Sequence, residues 1–447
     1  MKKVIDQYKL PKTITDIFIY IMLTVFILYC GTSGYSGMFE SKFNIFCFTC
    51  GGYVIITLLI LFELILIGHI KFEPTKLIKN MGVPQKLAIV YLIFTWLSAL
   101  ISPYFPDTLF GVSRYEGAIT ISIYCLVFVL VSYFGKIEKR MIYVFSGTVS
   151  IFAIICILQI HGLNPFVFYP EGYNYNDAYI AYNGQFLGTI GNTDTVAAFL
   201  CIAIPILWIS LIRLTDKKRF FVILPLILSI YVLVKMWVLA GIVGIAIGTL
   251  LSIPFSIKIT KAQRKIILLT TIIIFIVGIV SIYFSNTESG LFFEIRALLN
   301  GNFDDSFGSG RMYIWKSVLE EIPKNILFGT GPDTMLNTNI QPFIRFDTRL
   351  DASIVGQIDI AHNEYINILF HQGIFAFLSY CALIVSVGYG WLKHGNRFKY
   401  IGILGSSFIC YLIQAFFGFS SCVVSPLFWM IMALIISKRN TKEDAYE

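Results

Sequence analysis

Apolar runs of roughly 16 to 23 residues, separated by short clusters of Lys and Arg, recur from Ile14 to Ser437, and about 20 such residues are needed for a helix to cross the hydrocarbon core of a bilayer. This recurrence predicts an all-α, polytopic membrane protein. Composition agrees: only 13% of residues are charged and the mean hydropathy is +0.77, whereas soluble domains carry about 25% charged residues. A soluble enzyme is thereby excluded. The first run is expected to stay in the mature chain, since no small-residue cleavage site follows Cys30 and further runs come directly after it.

About twelve transmembrane helices are predicted, over 14–30, 45–67, 87–102, 118–134, 142–160, 195–212, 220–234, 237–254, 266–284, 363–391, 400–417 and 425–436. The expected layout is nine helices within 1–284, a long extracytoplasmic loop over 285–362, three more helices within 363–437 and a cytoplasmic tail over 438–447. Of the 34 Lys and Arg residues, alternate connections hold 25 on one side and 9 on the other. By the positive-inside rule both termini are then cytoplasmic, in the cell membrane. The net charge of +8 is accounted for by this asymmetry, so a nucleic-acid partner is not expected. The nine cysteines lie inside or at the edges of apolar runs, where packing is the simplest role. The Cys47/Cys50 pair has no second CxxC or His pair to make a metal site.

Three connections on the outer side are long: Pro103–Gly117, His161–Asp194 and Ser285–His362. Chemistry is expected there, because short connections only turn the chain. No glycine-rich nucleotide loop occurs on the inner side. Within the longest connection Ile314, Trp315, Val318, Leu319 and Ile322 fall on one stripe before Pro323, predicting an amphipathic helix on the outer membrane face. Arg311 opens it. Its guanidinium fork and the free N–H groups of a first turn suit a phosphate, and an ion pair with Asp304 or Asp305 is the alternative. The stretch Gly329-Thr330-Gly331-Pro332-Asp333 is a turn able to bring backbone close to a ligand.

His362 ends the long connection, where an imidazole can take a proton from a hydroxyl or simply cap a helix. His371, nine residues further along the helix, is expected half a turn round and about 13 Å deeper, off that face, in a packing or hydrogen-bonding role. Lys235 ends an apolar run at the outer surface, snorkelling or facing an anionic substrate.

These residues resemble the O-antigen ligase and O-antigen polymerase superfamily of bacterial envelope glycan enzymes. Its signature is His, then Asn, Ser or Gln, nine residues, Gly, two residues and Gly; here His362-Asn363, Gly373 and Ala376 follow it with Ala for the last Gly. Ser309-Gly310-Arg311 to Trp315 and Phe328-Gly329-Thr330-Gly331 are similar to its arginine–tryptophan helix and Gly-x-Gly turn. Gly191-Asn192-Thr193-Asp194 is similar to its Gly-Asn-x-Asn, and Ser113-Arg114-Tyr115-Glu116-Gly117 to an outer-loop arginine segment. The likeness runs from Gly188 to Phe377. Lys235-Met236-Trp237 departs from a family Ser-Arg near that helix end.

The resemblance implies a metal-independent membrane glycosyltransferase without a cofactor, a ligase or a polymerase. It would move a glycan from an undecaprenyl-diphosphate carrier to a hydroxyl of a glycan, lipid or protein acceptor outside the cytoplasmic membrane. It further implies His362 as the catalytic residue, Arg311 and Arg114 on the diphosphate, and Asn192, Asp194, Asn363 and Lys235 in support of substrate binding. A transporter of a small anion or of the lipid-linked glycan, and a non-catalytic assembly component, are the alternatives from other classes.

Overall fold

Each of the twelve predicted runs is helical, because only a helix satisfies the backbone of a single apolar segment internally. The computed structural model describes residues 7–32, 34–71, 73–175, 186–347 and 352–443. In chain order the apolar helices begin with α1 (Lys9–Leu28), α2 (Gly34–Leu66), α3 (Val83–Ile101), α4 (Ala118–Phe134) and α5 (Lys139–Ile160). They continue with α6 (Thr193–Arg213), α7 (Lys217–Met236), α8 (Leu239–Ser256) and α9 (Lys261–Tyr283). Two further helices, α10 (Gly290–Leu299) and α11 (Arg311–Glu321), lie in the long connection before α12 (Glu364–His394), α13 (Lys399–Ala415) and α14 (Ser425–Ile436). Among the described residues nine helices are long and apolar enough to cross a membrane. Helices α4 and α13 have 17 residues and α14 has 12, so a count of twelve crossings rests on these shorter ones as well.

The largest apolar core is centred on α6, which is buried along most of its length. Helix α13 packs against α8 and α6, α3 against α12, α14 against α4 and α7 against α5. Helix α9 buries none of its residues and leaves its apolar side chains exposed, as a helix surrounded by lipid would.

The sequence pattern misses several features. The second helix begins at Gly34 rather than near 45, and its Lys42 is fully buried, donating at 3.0 Å to the carbonyls of Phe26 and Ile27 left open at the end of α1. Two short antiparallel pairs add strands to a helical molecule: β1 (Phe186–Leu187) with β2 (Gly191–Asn192), and β3 (Phe343–Asp347) with β4 (Ala352–Gly356). The stripe of α11 also differs from expectation. Ile314 and Val318, with Ile322 just beyond, pack on Met335, Ile358, Ala361 and Phe370, so the apolar face covers the start of α12; only Leu319 of the five remains exposed.

The largest departure is in α12. Gly373 has φ 77° and ψ −179°, a conformation essentially reserved for glycine, and it breaks the helix one residue pair after His371. The 326–331 turn inserts at this break. Ile374 N donates to Ile326 O at 2.8 Å, Thr330 N to Phe370 O at 3.1 Å and Gly331 N to His371 O at 2.8 Å. A Cβ on Gly373 would run into the Leu327 carbonyl, and one on Gly329 into the His371 carbonyl. The Gly-Thr-Gly turn therefore approaches a broken helix closely, which its sequence anticipated only as closeness to a ligand.

Candidate active site

Four segments far apart in sequence bring their charged groups together. The loop before α4 carries Arg114, the junction of β2 and α6 carries Asp194, the first residue of α11 is Arg311, and the approach to α12 carries Asp359 and His362. Asp194 is the common partner: its Oδ2 lies 3.5 Å from Arg311 Nη2 and 3.7 Å from His362 Nδ1. Nε and Nη2 of Arg114 both donate to Asp359 Oδ2, at 2.8 and 2.6 Å. Phe419 joins the halves. Its ring centroid lies 5.1 Å from the Arg114 guanidinium carbon and 5.7 Å from that of His362, edge to face.

Helix caps set these positions. Asn192 Oδ1 accepts from the N–H groups of Asp194 and Thr195, and Asn363 Oδ1 from those of Tyr365 and Ile366. Asn192 thus orients the helix start that bears Asp194, and Asn363 the helix start that directly follows His362. His362 itself lies outside α12, in a left-handed conformation with φ 48°. The residue before it is held twice, since Ala361 O accepts from Trp315 Nε1 at 2.8 Å and Ala361 N donates to Asn367 Oδ1 at 2.8 Å. Arg311 donates from Nη1 to Gly308 O at 3.2 Å, and its Nε has no hydrogen-bond partner among the described residues.

Burial holds the His362 imidazole below its ordinary pKa; Asp194 opposes this, the Arg311 and Arg114 charges reinforce it, and Asp359 opposes it again. A neutral imidazole at this place can accept a proton at physiological pH. The two arginines carry the charge that a diphosphate needs, and a guanidinium meets phosphate oxygens with a planar fork of donors. Asp359 takes Nε and Nη2 of Arg114, and Asp194 faces Nη2 of Arg311.

Lys235 is not part of this arrangement. It is exposed, 5.8 Å from the Tyr231 ring, whose hydroxyl lies 2.8 Å from His161 Nε2. Among the described residues it makes no hydrogen bond or ion pair with the cluster.

A cavity with about 60 Å³ open to water-sized molecules is lined by Arg114, Glu116, Asp333, Asp359, Glu364 and His371 together with apolar and aromatic side chains. That is room for a few waters. Glu116 accepts from Tyr124 at 2.7 Å and from Ser420 at 2.8 Å, and Ser420, Ser425 and Tyr411 continue the hydrogen-bond chain to Glu364. Burial pushes Glu116 up to about 8, with the Tyr124 and Ser420 hydrogen bonds opposing and Asp333 and Glu364 adding to the rise. His371, expected to pack, does so with its Nδ1 3.1 Å from Gly331 O, and it also lines this cavity.

The residues 238–381 match the family model described as O-antigen ligase. Over this stretch, about a third of the chain, the match supports a likeness to the O-antigen ligase and polymerase superfamily. No curated protein matches the chain's sequence. The matched stretch runs from the start of α8 into α12, so it contains Arg311, Asp333, Asp359, His362, Asn363 and His371. Arg114, Asn192, Asp194 and Lys235 precede it. This match, together with the many apolar helices, supports an integral membrane enzyme of the glycosyltransferase type acting in polysaccharide biosynthesis.

Sequence reasoning did not single out Glu116, Asp333, Asp359 or Phe419. Glu116 and Asp333 stood inside segments already noticed for their neighbours. Phe419 gave no signal, because it lies in a short connection between two apolar helices and its partners are distant in the chain.

Proposed function

We propose that the protein transfers a glycan from an undecaprenyl-diphosphate carrier to an acceptor hydroxyl outside the cytoplasmic membrane, as a ligase or a polymerase. The observation that carries this reading is the convergence of Arg311, Arg114, Asp194 and His362 from four separate segments. In the reaction the acceptor oxygen bonds to the anomeric carbon of the donor sugar while the bond from that carbon to the diphosphate oxygen breaks. Undecaprenyl diphosphate leaves with the electron pair. Arg311 and Arg114 exchange their Asp194 and Asp359 partners for the phosphate oxygens and stabilise the growing negative charge, the kind of preorganised electrostatic effect that contributes most to many transfer reactions. The hydroxyl proton passes to the neutral imidazole of His362, and Asp194 then faces the imidazolium.

The test is transfer by purified protein reconstituted in lipid. Arg311→Lys keeps the charge and loses the fork, and most activity should go with it. His362→Ala should lose roughly 10²–10⁴ in rate, the range for a general base; a loss below about tenfold would reduce His362 to an orienting group. A non-catalytic assembly component would instead tolerate both losses.

A further inference from the structure

We propose that Asp333 is the positioning residue of the diphosphate site, fixing the loop from Val112 to Glu116 so that the Arg114 side chain is presented to the donor. This role rests on the reading of Arg114 as a diphosphate ligand. The observation is one carboxylate that gathers a whole loop. Asp333 Oδ2 accepts from the backbone N–H groups of Ser113 at 3.2 Å, Arg114 at 2.8 Å and Glu116 at 3.3 Å. Its Oδ1 accepts from Ser113 Oγ at 2.7 Å, and its own carbonyl accepts from Val112 N at 3.0 Å.

Successive N–H groups converging on one oxygen form a nest for an anion. Here the nest is filled from within by a side chain that is 6% exposed. Four of the five backbone N–H groups from Val112 to Glu116, all but that of Tyr115, are thus taken by Asp333, and the loop's charged donor toward an external anion is the Arg114 side chain. Space at the contact is tight as well. Gly111 has φ 87°, and a Cβ there would collide with the Asp333 carboxylate.

Asp333 is in turn fixed to the helix that follows His362. It sits at φ 53° directly after the turn seated on the α12 break, with Gly331 N bonded to His371 O and Thr334 N 3.4 Å from His371 Nδ1. The chain of contacts runs from the α12 break through Asp333 to the backbone of Arg114. It holds the arginine in one frame with His362, although the two are not connected through any single element.

A role exercised through Arg114 makes a specific prediction about coupling. Undecaprenyl diphosphate, without a glycan, serves as the probe, and its Kd is measured on the full-length protein in lipid nanodiscs. Arg114→Ala and Asp333→Asn should each weaken binding roughly tenfold, about the effect of losing one charge-assisted hydrogen bond. The double variant should bind no more weakly than Arg114→Ala alone, since a residue that only positions the arginine has nothing left to position. Ser113→Ala, which removes one of the five bonds and leaves the carboxylate in place, should weaken binding about threefold, and that effect should vanish when Arg114 is Ala.

Losses that multiply to about a hundredfold in the double variant would overturn the positioning role, as would wild-type affinity in Asp333→Asn. Should Asp333→Asn not fold, Ser113→Ala decides, and unchanged affinity there overturns the role. Wild-type protein that does not bind the probe, or Arg114→Ala that binds it normally, would instead overturn the diphosphate reading itself and the Asp333 role with it.

Discussion

Replacing Gly373 by Ala tests the helix break that organises the site. The residue has φ 77° with extended ψ, a region that costs an L side chain about 1–3 kcal/mol. Its Cβ would also press on Leu327 and Phe328, and the atoms it meets are backbone, so relief requires the turn to lift away. Lifting it breaks the bonds from Ile374 N, Thr330 N and Gly331 N, each contributing about 1 kcal/mol net. Together the loss is roughly 4–6 kcal/mol, a large part of the 5–15 kcal/mol by which proteins are commonly stable. Gly388 on the same helix is the control. Its Cβ would meet nothing nearer than Phe408 at 3.5 Å, so Gly388→Ala should be neutral or gain about 0.5–1 kcal/mol from helix propensity. Thermal unfolding in nanodiscs followed by intrinsic fluorescence, with glycan transfer in the same preparation, separates the two. Gly373→Ala with the melting temperature and activity of wild type would refute the argument that the turn and the broken helix depend on each other.

Transfer requires a neutral His362, so the rising limb of the pH–rate profile should fall below the pKa of an ordinary histidine; Arg311→Gln should move it upward and Asp194→Asn downward, from the signs of the charges they remove. For Glu116, whose value rises from 4.5 to about 8 on folding, the folded chain holds the proton more tightly, so this contribution to stability is full below 4.5 and lost as pH rises through 8. Glu116→Gln lacks that dependence, and its melting temperature should gain on wild type between pH 5 and 8, about the window set by that shift; parallel curves would contradict it. Orientation is checked by cysteine labelling in intact cells: Asn302→Cys should react with an impermeant reagent and a cysteine placed between Lys258 and Lys265 should not, and the reverse pattern would invert the topology.

How much of this was legible beforehand follows from the range of the forces involved. Helices in apolar runs are decided by segments of about 20 residues, a scale on which hydrophobicity and backbone self-satisfaction act locally. That is why every predicted run is a helix and why the long connections, where polar chemistry can sit, were recognisable from their length. His362, Arg311, Arg114 and Asp194 were legible as residue types at helix starts and loop ends, and the structure brings all four together. Asn192 and Asn363 were legible too, though they act as caps.

Tertiary structure alone decided the rest, because each remaining feature is a contact between distant segments. Lys235 carries a suitable charge at a suitable depth, yet α7 packs on α5 and leaves it exposed, away from the cluster. The α11 stripe has the period of a membrane-surface helix and instead covers the start of α12, since periodicity fixes which face is apolar and not what it meets. Gly373 reads as one more residue of a helix until the 326–331 turn is seated against it. Asp333 becomes a clamp only when folding brings it to the Arg114 loop, where its carboxylate satisfies three part-buried N–H groups.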